Sequence, residues 1–299
     1  VKKNLPVLII LASIAFASCQ KEISSQAPGQ ANTGASGDSI LVRIEQTDPY
    51  NQSADIFTID YDSQTRVKKL TYSRYDSATN IESVEDYIDL VRNAQGQIVI
   101  AYNVTPHMLP PLDSVVRHYV YNNGSCIYSY IDPLRPLSPP NTSADMSDDS
   151  SIFVYDGTGA LLEDHQFNYD SLAFNYVFVG GNKYVRDANN NVLISSSLTN
   201  TPDEIYRSQY DNKPAPIVIS NIDLPALAAW FPGSDGSRNN PITIRYDDNI
   251  HSSWSVQTNN YIFGNDNLPK LINESTEYHS AGQPVDTEFS TTRFVYRKR

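Results

Sequence analysis

The chain has 299 residues, with 22 Lys and Arg against 34 Asp and Glu, a net charge of −12, and two cysteines. That acidity argues against nucleic acid as a partner and against docking on an anionic lipid surface by charge. Tyrosine is over-used, with 20 copies against 10 Phe and 2 Trp.

Lys2 and Lys3 precede an apolar run from Leu5 to Ala17, followed by Ser18 and Cys19. The run falls short of the roughly 20 apolar residues of a membrane span, so residues 1–18 read as a secretory signal. Phe16-Ala17-Ser18-Cys19 resembles the lipobox of bacterial lipoproteins, with Phe in place of the usual Leu. The resemblance implies cleavage before Cys19, acylation of its thiol and new amine, and attachment to the outer membrane through the lipid. Several acyl chains together give durable anchoring. The processed chain keeps 20 basic and 34 acidic side chains, a net charge of about −14. Cys126 is then its one free thiol, so no intramolecular disulfide forms and the core alone holds the fold.

Residues 19–39 read as a flexible tether, rich in Ser, Gln, Ala and Gly. Such a segment spans about 25 Å root-mean-square. Cys19-Gln20-Lys21-Glu22 resembles the surface-export signals of Bacteroidota lipoproteins, although a single acid follows the lysine. Cell-surface and periplasm-facing orientations both stay open.

Residues 40–299 show a period of two nearly throughout, which predicts one all-β domain. Phe57, Ile59 and Tyr61 fall on one face with Thr58 and Asp60 on the other; Ile242-Thr-Ile244-Arg-Tyr246 and Phe294-Val-Tyr296-Arg behave alike. Turns recur as Asn93-Ala-Gln-Gly96, Asp156-Gly-Thr-Gly159, Asp187-Ala-Asn-Asn190 and His279-Ser-Ala-Gly282. Each places a side-chain acceptor first and a residue tolerant of positive φ fourth. Asn123-Gly124 adds a tight hairpin. The expected fold is a large antiparallel meander of hairpins that forms a curled or barrel-like sheet.

Asp187-x-Asn189-x-Asn191 could also open a calcium loop. Such a loop needs glycine at its sixth position and a later glutamate, where this chain has Val192 and, near the second place, Thr199, so the stretch reads as a turn. Residues 133–151, proline-rich and then acidic, are too long for a hairpin and read as an exposed loop within one domain, with a boundary between two domains as the alternative. Asp223-Leu-Pro225-Ala-Leu-Ala-Ala-Trp230-Phe-Pro232-Gly233 predicts one short helix near 224–231, with Asp223 as its N-cap and its apolar residues plugging one end of the sheet or, alternatively, forming a mobile lid over a binding site.

The Tyr-Asp turn units, Tyr210-Asp-Asn-Lys-Pro-Ala-Pro216 and Ser237-Arg-Asn-Asn240-Pro-Ile resemble the YD-repeat-like, DUF4595-type lipoproteins of Bacteroidota. The resemblance covers about residues 40–299 and departs at Ala215, where the group has asparagine. It implies a porin-like β fold and no established activity. A spanning pore does not follow from it, because outward Asp, Arg and Lys would interrupt the lipid-facing band.

No motif carries catalytic chemistry. His107, His118, His165, His251 and His279 are scattered, and none lies two to five residues from another. Cys126 and His118, a conceivable nucleophile and base, flank one hairpin and read as ordinary strand residues. Glu85-Asp86, Asp148-Asp149, Glu163-Asp164 and Asp247-Asp248 are sequence neighbours, and neighbours on a strand point to opposite faces. Glycosidase chemistry needs two acids about 5–10 Å apart across a cleft. The tyrosines suit a sheet face with one wet end, and also sugar- or protein-binding surfaces. Ser39, Ser77, Ser114 and Ser171 each follow Asp and precede an apolar residue, a pattern resembling the O-glycosylation signal of exported Bacteroidota proteins. Ser39, beside the tether, is expected to be the most accessible of them.

These readings combine into a lipid-anchored envelope protein, non-catalytic, without cofactor or metal, that binds or scaffolds a glycan or envelope-protein partner. The alternative from another class is a glycan-acting enzyme or glycan-binding component at the outer membrane.

Overall fold

The structure is a computed structural model that describes residues 39–48, 53–108, 114–131, 150–170, 175–198, 203–217, 219, 223–227 and 236–298. The first eight strands are β1 (Ser39–Asp48), β2 (Ser53–Tyr61), β3 (Val67–Asp76), β4 (Ile81–Arg92), β5 (Ile98–Val104), β6 (Ser114–Asn122), β7 (Ser125–Ile131) and β8 (Ser150–Tyr155). The others are β9 (Leu161–Asp170), β10 (Asn175–Arg186), β11 (Val192–Ser197), β12 (Glu204–Pro214), β13 (Asn239–Asp248), β14 (Ser253–Phe263), β15 (Pro269–Ser280) and β16 (Asp286–Lys298). Each pairs antiparallel with the next, and β1 pairs with both β2 and β16, so the sheet closes as a barrel. Closure removes the exposed edges that an open sheet of this size would carry. Ser39 already belongs to β1 and Ser150 and Ser151 to β8, so the predicted tether and loop are shorter at those ends.

The alternation in the sequence assigns the two faces. Ile59, Leu70, Ile88, Ala101, Tyr119 and Phe153 are buried and follow one another around the inner wall. Thr58, Asp60, Lys69, Asp89 and Tyr102 take the outer face between them. The predicted pattern of Phe57, Ile59 and Tyr61 inward against Asp60 outward is therefore observed, as is Ile244 and Tyr246 inward against Arg245 outward.

Five tight turns of one pattern lie at one end. Those after β2, β4, β8, β10 and β14 share a pair of backbone hydrogen bonds, such as Gly159 N to Asp156 O (3.1 Å) and Asp156 N to Ala160 O (2.9 Å). The fourth position needs positive φ and is filled by Thr65 (58°), Gly96 (83°), Gly159 (83°), Asn190 (67°) and Asn267 (58°). In four of the five, the first residue's carboxylate or amide oxygen accepts from backbone N–H groups two and four residues on. That bond set is why Asp62, Asn93, Asp156 and Asp187 stand there.

Burial alone would raise the Asp62 and Asp187 carboxyls. Donors from Arg66 and Gln64, and from Asn191 and Asn189, outweigh it and hold both below the usual range. Asp156 is lowered chiefly by the Thr158 hydroxyl and then by the Ala160 amide. Tyr61, Arg92, Tyr155, Arg186 and Phe263 end their strands facing inward by alternation, and the register shifts opposite them turn Val67, Ile98, Leu161 and Val192 of the following strands inward too.

The turn predicted at His279 to Gly282 is shifted by one residue. Gln283 N bonds Ser280 O (3.1 Å), which makes Gly282 (φ 76°) the third position. His279 remains in β15, stacked on Trp254 with ring centroids 3.5 Å apart.

Candidate functional site

The connection from β12 to β13 folds into the lumen at the end where the tight turns lie. Ala215, Ile217, Ile219, Leu224, Ala226 and Leu227 are buried there. Ile217, Ile219, Leu224, Ala226 and Leu227 join one core with Leu70, Ile88, Ile98, Cys126 and Leu161 of the wall. The helix α1 (Leu224–Leu227) has four residues, too few to persist without that packing. The rest of the predicted helix, 228–231, lies outside the described residues. For Leu224, Ala226 and Leu227 the predicted plugging role is what the barrel shows.

One ion pair ties the plug to the wall. The Arg92 guanidinium donates to both carboxylate oxygens of Asp223, at 2.8 and 3.1 Å, and also to Gly96 O (2.6 Å) and Val67 O (3.3 Å). Their side chains are 7% and 0% exposed. Asp223, predicted as an N-cap, offers its backbone carbonyl to Leu227 N while its carboxylate holds Arg92.

A polar clamp closes both ends of the plug. The Asn240 amide donates to both Asp211 oxygens, at 3.2 and 3.1 Å, and Asn191 Oδ1 accepts from the backbone of Arg238 and Asn239 at 3.0 Å each. Ser237 Oγ accepts from Val192 N (2.9 Å) and donates to the Tyr210 hydroxyl (3.0 Å), which itself donates to Val192 O (2.8 Å). The two motifs that carry the family resemblance are thus one structure. They are the entry and exit of the plug, and Asn191, held by Asp187, braces the exit at Arg238 and Asn239.

Inward tyrosines grade this apolar end into the polar end. Tyr61, Tyr261 and Tyr296 donate to Leu41 O (2.6 Å), Pro241 O (3.1 Å) and Pro269 O (3.0 Å), with their rings packed on the core. Burial pushes the Tyr121, Tyr155, Tyr261 and Tyr296 phenols up, so they act as neutral groups.

The opposite end forms a cup. A cavity of about 610 Å³ is bounded by Gln46, Gln257, Glu274, Thr276, Tyr278 and Glu288. The inner wall from β12 to β16 adds Glu204, Tyr206 and Tyr246. Tyr278 donates to Glu288 (3.1 Å) and Tyr246 to Glu204 (3.1 Å). Burial and the Glu204 carboxylate push the Tyr246 phenol up to about 12. Tyr206 and Tyr278 each keep 42% of their surface exposed. The cup thus offers ring faces, neutral hydroxyls and carboxylates to anything that enters. Glu274, Asp286 and Glu288 sit on the adjacent strands β15 and β16, on one wall.

The predicted chemical residues are kept apart. Cys126 faces the core and burial pushes its thiol up to about 12, while His118 faces outward and stacks on Tyr130 at 5.0 Å. Glu163 points out to His165 (3.0 Å), and its neighbour Asp164 points in to Tyr184 (2.6 Å). Asp247 points out to Arg207 and Arg245, and Asp248 caps the turn at Ile250 and His251. Asp187 accepts from Asn189 N and from both the amide and side chain of Asn191, the turn that the sequence predicts. Among the described residues no three His, Cys, Asp or Glu side chains converge as a metal set.

Ser77 lies exposed in the turn after β3, whereas Ser39 and Ser114 are half-buried at strand starts. The expectation that Ser39 is the most accessible therefore fails, because pairing with Lys298 draws it into the sheet. Cys19, Ser171, Asp148 and Asp149 lie outside the described residues. Arg92 and the cup acids were not singled out in the sequence. Arg92 occupies the inward slot before a turn that Tyr61 and Tyr155 fill elsewhere, and the slot alone does not announce Asp223, since Arg186 fills a like slot and donates to Leu161 O and Asn190 O.

A closed sixteen-stranded antiparallel barrel, plugged at one end and cupped at the other, is the class that fold and site define. Two crystal structures, both of porin-like Bacteroides proteins, are similar to it. That of Bacteroides uniformis ATCC 8492 has 11% identity over 86% of this chain and 98% of its own, with a TM-score of 0.47. That of Bacteroides vulgatus ATCC 8482 has 12% identity over 87% and 99%, with a TM-score of 0.48. Likeness at this level carries no argument about function. No family model and no curated protein matches the chain, so the YD-repeat resemblance rests on its turn motifs alone.

Proposed function

We propose that this chain is a lipid-anchored outer-membrane protein that works as a non-catalytic binding barrel, taking a glycan or a segment of an envelope-protein partner in its cup. The plug carries this reading. A lumen sealed by Leu224, Leu227 and the Arg92–Asp223 pair is unsuited to conduction and leaves the cup as the accessible interior. Charged outward networks, Arg207–Asp247–Arg245 and Arg293–Glu45–Arg43–Glu82, speak against immersion of the whole barrel in lipid. Attachment therefore falls to acyl chains on Cys19. The chain enters β1 at the plugged end, so a short tether from Cys19 reaches the barrel on the side away from the cup mouth.

A glycan is favoured as ligand by the pairing of tyrosine rings with hydrogen-bonding carboxylates and amides. Binding without hydrolysis is favoured because Glu274, Asp286 and Glu288 share one wall, while Glu204 on β12 accepts from the Tyr246 hydroxyl. The test is a glycan and envelope-protein binding screen on the Cys19→Ala chain, repeated with Tyr278→Ala and Glu288→Gln. Binding that both cup variants abolish at unchanged melting temperature is the expected result. Binding indifferent to them, or turnover of a bound glycan, would overturn the reading.

A further inference from the structure

The outer wall of the barrel is divided in polarity. Registers from β4 to β10 place Val91, Ile100, His118, Tyr130, Phe167 and Phe178 in one outward row that carries no Asp, Glu, Lys or Arg. The neighbouring row on β6 to β8 is Val120, Tyr128 and Ile152, with Val120 and Ile152 41% and 43% exposed. Ile127 and Val154 extend the surface toward the tight turns. With strands ~4.8 Å apart and outward residues ~6.8 Å apart, the uncharged area is roughly 25 by 20 Å, about 500 Å² in projection. That equals the largest apolar patch of a typical monomer, ~300–600 Å², a feature that is often functional.

Charge lies elsewhere on the exterior. Arg207, Arg245 and Asp247 occupy β12 and β13, and Arg43, Glu45, Glu82 and Arg293 cluster around β1. Glu163 with Lys183 and His165 borders the patch on one side, and Lys69 over the Tyr87 ring borders it on the other. An apolar centre with a polar rim is the anatomy of a protein interface.

We propose that this surface is where a second copy of the chain packs, wall to wall, about a two-fold axis near β7. Charge selects that occupant. Each copy carries −12, so approach through most other directions brings like charges together. On the β4–β8 face the charged side chains sit at the rim in both signs, Glu163 beside Lys183 and Asp89 beside Lys69, so two copies meet there without an excess of like charge. A neutral face can pair with its own copy, as a two-fold contact requires. Its ~500 Å² supplies the dry centre of a contact near ~800 Å² per partner, with the rim providing the rest.

The test is sedimentation equilibrium of the full chain in a mild detergent over a hundredfold concentration range. The expected mass is twice the 33.4 kDa of one chain. Val120→Asp with Ile152→Asp should halve it, with strand content and melting temperature kept. Asn273→Asp, an outward change on β15 across the barrel, should leave it doubled. A monomer throughout the range, or a dimer that survives the Val120/Ile152 change, overturns the proposal. So does a monomer that floats with neutral phosphatidylcholine vesicles only while Val120 and Ile152 are intact, which would make the occupant lipid.

Discussion

Replacing Asp223 with alanine removes the counter-charge of a guanidinium that is 7% exposed. Arg92 keeps Gly96 O at 2.6 Å and Val67 O at 3.3 Å, while its Nε already lacks a partner. Breaking one side of a buried pair costs ~3–5 kcal/mol, and the two retained carbonyls set the expectation near 3 kcal/mol. The plug should stay seated, because burying Ile217, Ile219, Leu224 and Leu227 at ~1.5–3 kcal/mol each outweighs that loss. In urea the midpoint should therefore fall by about 1 M at a slope of about 3 kcal/mol/M, with the slope itself unchanged. Arg92→Met with Asp223→Leu should recover most of the loss, since an apolar pair of similar volume replaces a desolvated one. A midpoint shift under about 0.3 M for Asp223→Ala would refute the tie between plug and wall.

Other outcomes follow from the turns and the anchor. Thr65→Gly should stabilise by about 0.5–1 kcal/mol, because a β-branched side chain at φ 58° is strained; a loss in thermal unfolding would contradict this. Gly181→Ala should be severely destabilising by the same assay, since its Cβ would meet Asp164 O at 2.1 Å, whereas Gly159→Ala, with open space around it, costs only the strain of φ 83°. Asp62, Asp156 and Asp187 have folded pKa values below the unfolded ~3.9. Their contribution is complete above that value and lost as pH falls through the folded pKa values, so stability should drop below about pH 4. Changing all three to Asn should flatten that acid limb, and an unchanged limb would show that these turns do not set it. Cys19→Ala should release the chain from membranes, and persistence in the detergent-requiring fraction would exclude lipid as the sole anchor.

Much of the barrel could be read from the chain because its information is local. Period-two segments such as Phe57 to Tyr61 give the strands, and an acceptor followed three residues later by Gly or Asn gives the turns. Closure was not legible, since nothing in Leu41 or Phe294 announces that β1 and β16 meet. The Asp223 to Leu227 plug was visible as an apolar run between breakers. Its tie to Arg92, 131 residues away, depends on the barrel bringing the two together. The cup was equally hidden, because Glu274 and Glu288 look like surface acids until the alternation is known to point them inward. The one misplaced turn, at Ser280 to Gln283, failed because its glycine serves the third position instead of the fourth.

The central claim, a barrel sealed at the plug and open at the cup, is tested most directly by maleimide labelling of two thiols in one Cys19→Ser chain. Native Cys126 lies fully buried against the plug, and Glu288→Cys places the other thiol on the exposed wall of the cup. Near pH 8 the cup thiol should react within seconds, and Cys126 should react only at the rate of global unfolding, accelerated in parallel by urea. Comparable labelling of both thiols under native conditions would mean that the lumen is open from end to end.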